Sequence, residues 1–109
     1  MNYVQVQFAI DDAGAADSII ESLLSDHLVA CGQRTAPMTS RYWWNGRLEH
    51  AEEWLVLLKT RTDLVSRVID EIVRTHPYET PEVGAVAITD GARPYLEWID
   101  EVTAVASRE

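Results

Sequence analysis

Only one cysteine, Cys31, occurs in the 109 residues, so no disulfide can form within the chain and its fold must rest on a packed core. A lone thiol fits a reducing compartment, and the cytoplasm is the expected location. Basic charge is scarce too: 9 Lys and Arg stand against 18 Asp and Glu, a net charge of −9. Neither half offsets the other, with 3 basic and 6 acidic side chains in residues 1–50 and 6 and 12 in residues 51–109. Such a chain is repelled by nucleic acid and anionic lipid, which excludes both as expected partners. Long apolar runs are missing. The longest, Trp54-Leu55-Val56-Leu57-Leu58, falls far short of the roughly 20 residues that cross a bilayer. No basic segment leading into an apolar run opens the chain, so no signal peptide is expected. Nor is there a phosphate-cradling Gly-rich loop, a Cys-x-x-Cys, a His-Glu-x-x-His or a nucleophile elbow, and enzyme activity is not expected.

What is present reads as one domain over residues 1–109 with a single core. Tyr3 to Ile10 alternates, with Val4, Val6, Phe8 and Ile10 on one face of a strand. Asp11 and Asp12 offer N-caps for a helix from Ala13, whose apolar stripe is Ala16, Ile19, Ile20, Leu23, Leu24 and His27. Leu28 to Cys31 begins a second strand that Gly32 and Pro37 interrupt, which predicts a bent or edge segment. Thr39 to Trp44 and Arg47 to Thr60 flank Asn45-Gly46, a strong hairpin-turn dipeptide. The second of these runs is apolar on both faces from Trp54 to Leu58, the mark of a sheet centre or a subunit contact. Thr62 and Asp63 cap a second helix that stops near His76-Pro77. Val83 to Thr89 is a last strand, Asp90-Gly91 a turn, and Arg93 to Val102 a terminal helix.

The order is β-α-β-β-α-β plus a C-terminal helix, an α+β, ferredoxin-like split βαβ arrangement with two helices on one face of a four-stranded antiparallel sheet. Its second face is then uncovered. Trp43, Trp44, Trp54 and the doubly apolar third strand leave more apolar surface than two helices hide, so a homo-oligomer is expected, its hairpin reaching onto a neighbour.

The densest chemistry lies in His76-Pro77-Tyr78-Glu79-Thr80-Pro81-Glu82, where two prolines stiffen a loop rich in ligand-type side chains. One reading is a pocket at a subunit boundary built from His76, Tyr78, Thr80 and Glu82. The other is that the glutamates cap turns and the Tyr78 hydroxyl ties the loop to a neighbour. His76 needs further ligands to hold a metal, and the nearby candidates, Glu79 and Glu82, are carboxylates. Cys31 is either an inert buried thiol or a soft ligand meeting His76 in space. Lys59 is either a strand's exit residue or faces the loop to bind an anion. The acidic run Glu49, His50, Glu52 and Glu53 reads as a solvated strand face, with a weak adventitious cation site as the second reading.

Three stretches resemble the CutA divalent-cation-tolerance family, whose members are described as periplasmic or cytoplasmic. They are the hairpin Ser40-Arg41-Tyr42-Trp43-Trp44-Asn45-Gly46, the strand Glu53-Trp54-Leu55-Val56-Leu57-Leu58-Lys59-Thr60 and the loop His76 to Glu82. Leu28 to Cys31, Gly91 and Tyr95 to Ile99 extend the likeness over nearly the whole chain. The resemblance implies a cytoplasmic homotrimer similar in architecture to PII signalling proteins and associated with copper or zinc. On this chain it implies a metal held by His76, Glu79, Glu82 and Cys31, and a ligand cleft at Tyr78, Thr80 and Lys59. Tyr42, Trp43, Trp44 and Trp54 would form the oligomer interface. A PII-like module taking a small anionic or organic ligand in that cleft is the alternative. Where relatives carry a Cys at the end of the first strand, this chain has Phe8-Ala9-Ile10-Asp11-Asp12, and Thr75 stands where some have a second His.

Overall fold

The computed structural model describes residues 2–106. Alternating apolar residues form β1 (Tyr3–Ile10), and the chain turns at once into α1 (Ala13–Ser25). Asp12 is the N-cap: its side chain accepts from the Ala15 backbone N–H, and the extended Asp12 backbone lets the helix start there. After α1 the chain reverses through His27, a non-glycine residue with φ 56°, whose Nδ1 lies 3.0 Å from the Val102 carbonyl.

The second strand starts later than its composition suggests. Leu28 to Ala30 form a buried connector, and β2 covers only Cys31–Arg34. Beyond Pro37 comes β3 (Met38–Trp44), which turns through Asn45 and Gly46, both at positive φ, into β4 (Arg47–Arg61). Two consecutive left-handed residues give the turn whose twist matches paired strands. A 3-10 turn over Thr62–Leu64 then precedes α2 (Val65–Thr75), and Asp63 pairs with Arg61 instead of capping the helix by its side chain. β5 (Val83–Ala87) and α3 (Arg93–Thr103) complete the fold.

The expected four-strand sheet is a five-strand antiparallel one, because a single edge is broken in two. β4 pairs with β1 over Trp54–Arg61 on one side, and β1 pairs with β5. On its other side β4 meets β2 and then β3. From Arg34 opposite Val56 to Met38 opposite Glu53, this edge advances four residues against three on β4. That is a one-residue bulge, and it falls where Pro37 has no N–H to give the ladder.

One face of the sheet carries the core. Val4, Val6, Phe8, Ile10, Val56 and Leu58 pack against Ala16, Ile19, Ile20 and Leu23 of α1 and Val68 and Ile72 of α2. The opposite face is not bare, as the sequence suggested. Tyr3, which alternates with Val4, donates its hydroxyl to Asp100 of α3, and α3 packs on β4 with Ile99 and Thr103 wholly buried. What stays uncovered is the β5 edge, where Val86 is 53% exposed, and the hairpin, where Trp43 is 73% exposed and its cross-strand partner Leu48 is 64% exposed. No helix among the described residues is long and apolar enough to cross a membrane.

Gly32 sits where α1 closes on β4. A Cβ there would lie 2.6 Å from Ile20 Cγ2 and 3.0 Å from Leu58 Cδ2, both in the packed core. Gly32→Ala should therefore lower stability by about 1–3 kcal/mol through overpacking. A denaturant midpoint equal to that of the unsubstituted chain would show that the α1–β2 contact is looser than these distances require.

Candidate functional site

The segment after α2 is fixed by one imidazole. Pro77 forbids another helical turn, so His76 leaves the helix with φ −73° and ψ 136°, and its N–H donates to Ile72 in a last helical bond of 2.8 Å. The ring of His76 is buried, its edge against Phe8 at a centroid distance of 5.8 Å. Its Nε2 lies 2.8 Å from the Ala9 carbonyl, and the Tyr78 backbone N–H donates to Nδ1 at 3.1 Å. Since Nδ1 accepts, the proton belongs on Nε2, and both ring nitrogens are engaged by backbone. The Ala9 N–H donates to the Glu82 carbonyl, so the loop is tied to the end of β1 at both of its own ends.

Held this way, Tyr78 packs on the edge of His76 at 4.6 Å and donates its hydroxyl to Glu53 Oε2 at 2.9 Å. Glu53 is 6% exposed, and none of the ion pairs among the described residues neutralises it. The Tyr78 phenol titrates well above its ordinary range, first because it is buried and second because its proton is held by the Glu53 carboxylate.

Between this loop and the hairpin lies a cleft of about 760 Å³. Its hairpin wall is Ser40 to Trp44 with Ala51 and Glu53, and its loop wall is Tyr78 to Glu82, with Asp11 at one end. Strand alternation sorts the aromatic residues. Tyr42 and Trp44 share a face with Ser40, Ala51 and Glu53, while Trp43 shares the other with Leu48. Asp11, Glu53, Glu79 and Glu82 line the cleft with one basic residue, Arg41, which by the same alternation lies on the Trp43 face, so the cleft is strongly negative.

The residues singled out from sequence are thus only partly brought together. Tyr78, Glu79, Thr80 and Glu82 line the cleft with Tyr42, Trp43 and Trp44. His76 lies behind its wall with both nitrogens occupied. Cys31 pairs with Lys59, four positions along β4 from the Leu55 partner of Ala9, which is about 13 Å at strand rise. Lys59 donates to Gln33 Oε1 beside Cys31 and does not line the cleft. Trp54 is half-buried opposite Ile10. Among the described residues no three His, Cys, Asp or Glu side chains are grouped to hold a metal ion. Sequence reasoning overlooked Asp11 in this role and gave Glu53 to solvent. Neither has a local signal, since each reaches the cleft only through strand pairing.

Two measurements check this geometry. In chelator-containing buffer, His76→Ala should lose about 2–4 kcal/mol, because the Ala9 carbonyl and Tyr78 amide are left unpaired. Unchanged stability there would assign the ring a role other than fastening the loop. Tyr78 has a folded-state pKa above its unfolded value of about 10, so its contribution is complete below that pH and is lost above it. The stability difference between the chain and Tyr78→Phe should accordingly be flat from pH 7 to 9 and shrink as pH rises past about 10. Tyr3 and Tyr95 also titrate high and remain in both proteins, so the comparison isolates Tyr78.

Comparison with known proteins finds the same fold. The family model described as CutA1 divalent ion tolerance protein matches residues 4–102. The Divalent-cation tolerance protein CutA of Archaeoglobus fulgidus is 38% identical over 86 residues, covering 79% of this chain and 83% of that protein. A solved structure described as the periplasmic divalent cation tolerance protein CutA from the same organism superposes with a TM-score of 0.90 at 33% identity, covering 93% of this chain and 98% of that one. CutA from Xylella fastidiosa superposes at 0.91 with 29% identity, over 94% of this chain and 99% of that one.

Proposed function

This chain belongs to the CutA1 divalent ion tolerance family, and from that premise we propose that it binds divalent cations such as copper or zinc through the carboxylates of its open cleft, working as a homotrimer of one-domain subunits. The observation that carries this reading is the charge of the cleft, four carboxylates against one guanidinium. A prebuilt coordination site does not fit one subunit, because His76 is engaged and Cys31 lies elsewhere. Contact with the ion is therefore electrostatic and exchangeable, with the carboxylate charges of Glu79 and Glu82 at the rim. The role is binding rather than catalysis, since nothing in the cleft pairs a nucleophile with a base.

Assembly into copies is favoured by the hairpin face bearing Trp43 and Leu48, an apolar pair with no partner in the subunit. Tyr42 and Trp44 on the other face, with half-buried Trp54 below, complete the proposed contact region around the cleft. A PII-like anionic ligand has less to recommend it: Lys59 is bonded to Gln33 and Arg61 to Asp63, both away from the cleft. The cytoplasm suits the single unpaired thiol, and recovery by osmotic shock would argue for the periplasm instead.

Calorimetric titration with Cu(II) and Zn(II) tests the cation reading. Removing two charges about 6 Å from a divalent ion, as Glu79→Gln with Glu82→Gln, should weaken binding roughly a hundredfold at about 1.4 kcal/mol each. Equal heats from both proteins would dismiss the carboxylate site. Sedimentation of the same samples should give three times the 12.3 kDa chain mass, and a monomer would dismiss the assembly.

A further inference from the structure

The bond from the Tyr78 amide to His76 exists only while the ring is neutral. Nδ1 accepts it at 3.1 Å with its lone pair, and Nε2 carries the ring's one proton, facing the Ala9 carbonyl at 2.8 Å. An imidazolium has an N–H at both positions, so a second proton on Nδ1 sets donor against donor at Tyr78. No carboxylate among the described residues bonds the ring to receive that proton's hydrogen bond. β1 presents Phe8 and a carbonyl to the ring, and Asp11 beyond its end bears on the Tyr78 hydroxyl, as does Glu53 of β4. On the last turn of α2, Glu71 and Arg74 pair with each other at the surface, and Glu79 and Glu82 of the loop are exposed.

We propose that His76 is an acid-operated latch: a second proton on its ring breaks the Tyr78 bond and frees the segment from Pro77 to Pro81. Nε2 donates to Ala9 in either protonation state, so the ring stays in place and only the far side of the bond is released. Both ends of the segment remain tied, one by the His76 N–H to the Ile72 carbonyl and the other by the Ala9 N–H to the Glu82 carbonyl. The freed segment is therefore a flap with two fixed hinges. Tyr78 leaves Glu53 as it opens, Glu79 moves with it, and water reaches the charged ring. The latch depends on the bonding of one imidazole and not on the cation reading, so a chain that bound no metal would still open in acid.

Amide hydrogen exchange reads such an opening even when the open form is rare. The closed form excludes the second proton, and the open form takes it near the ordinary histidine value of about 6.5. The open-to-closed ratio then rises about 25-fold between pH 7 and pH 5. In the full chain, in chelator-containing buffer, the Tyr78 amide should lose about 25-fold in protection over that range, each rate divided by its intrinsic value. The Val6 amide, in the middle of β1, should change less than about twofold. His76→Gln keeps a donor and an acceptor but does not titrate, and its Tyr78 amide should also change less than about twofold. A Tyr78 amide unprotected at pH 7, or equally protected at both pH values, would overturn the proposal. So would an equal loss at Val6, which places the change in the whole fold, or an equal loss in His76→Gln. Where His76→Gln does not fold, Tyr78 against Val6 in the unsubstituted chain decides.

Discussion

The His76 imidazole, spanning the Ala9 carbonyl and the Tyr78 amide, is the constraint on which the rest of the site depends. It stands at the last turn of α2 and reaches back to the end of β1, joining two elements that the sequence separates by 67 positions. Because the ring is buried, losing either bond would strand a backbone group away from water, so the loop has one conformation rather than several. Pro77 and Pro81 reinforce this by limiting what the unfolded loop can sample. From that anchor Tyr78 is aimed at Glu53, and Glu79 to Glu82 are presented along one wall. The same bonds consume the nitrogens a metal would need. A histidine that orders a ligand-rich loop this way is unavailable as one of its ligands.

The second organising feature is the length of β4, 15 residues. Its C-terminal half is a sheet strand held by β1 and β2, and its N-terminal half belongs to a hairpin that runs past the end of β1. A two-stranded ribbon with no third strand and no helix beneath it is marginal on its own. Here it carries Trp43 and Leu48 on one face and Tyr42 and Trp44 on the other, and the molecule extends to 44 Å along its long axis. The bulge after Arg34 lets β2 and β3 share one edge of β4 across the break at Pro37. The cleft exists because the hairpin and the proline-braced loop both project from the same end of the sheet.

Much of this was legible from local chemistry. Alternation in Tyr3 to Ile10, the Asn45-Gly46 turn and the stop at His76-Pro77 each follow from backbone preferences that need no tertiary context, and each lies where expected. Two errors share a cause. Leu28 to Ala30 looked like strand because they are apolar and buried, but burial there comes from bridging α1 to the sheet, with the Leu28 carbonyl accepting from Thr60 Oγ1 rather than from a ladder. The terminal helix was recognised, yet its place was not, since an amphipathic stripe says that a helix packs without saying on which face. The sequence put Tyr78 and Glu79 in a candidate site from composition alone. It could not supply Glu53, whose neighbours Glu49 and Glu52 are as acidic and lie outside the cleft.

Charge decides among occupants of the cleft more firmly than shape does. The chain carries −9 overall, so the field around it already opposes an anion before it arrives. Inside the cleft the imbalance is concentrated, and Glu53 is shielded from water by the residues that position it. Like charges gathered at one end of a chain that already carries −9 disfavour the compact state by self-repulsion. A cation that enters relieves it, so binding and folding stability are linked, and a cation-loaded chain unfolds less readily in proportion to occupancy.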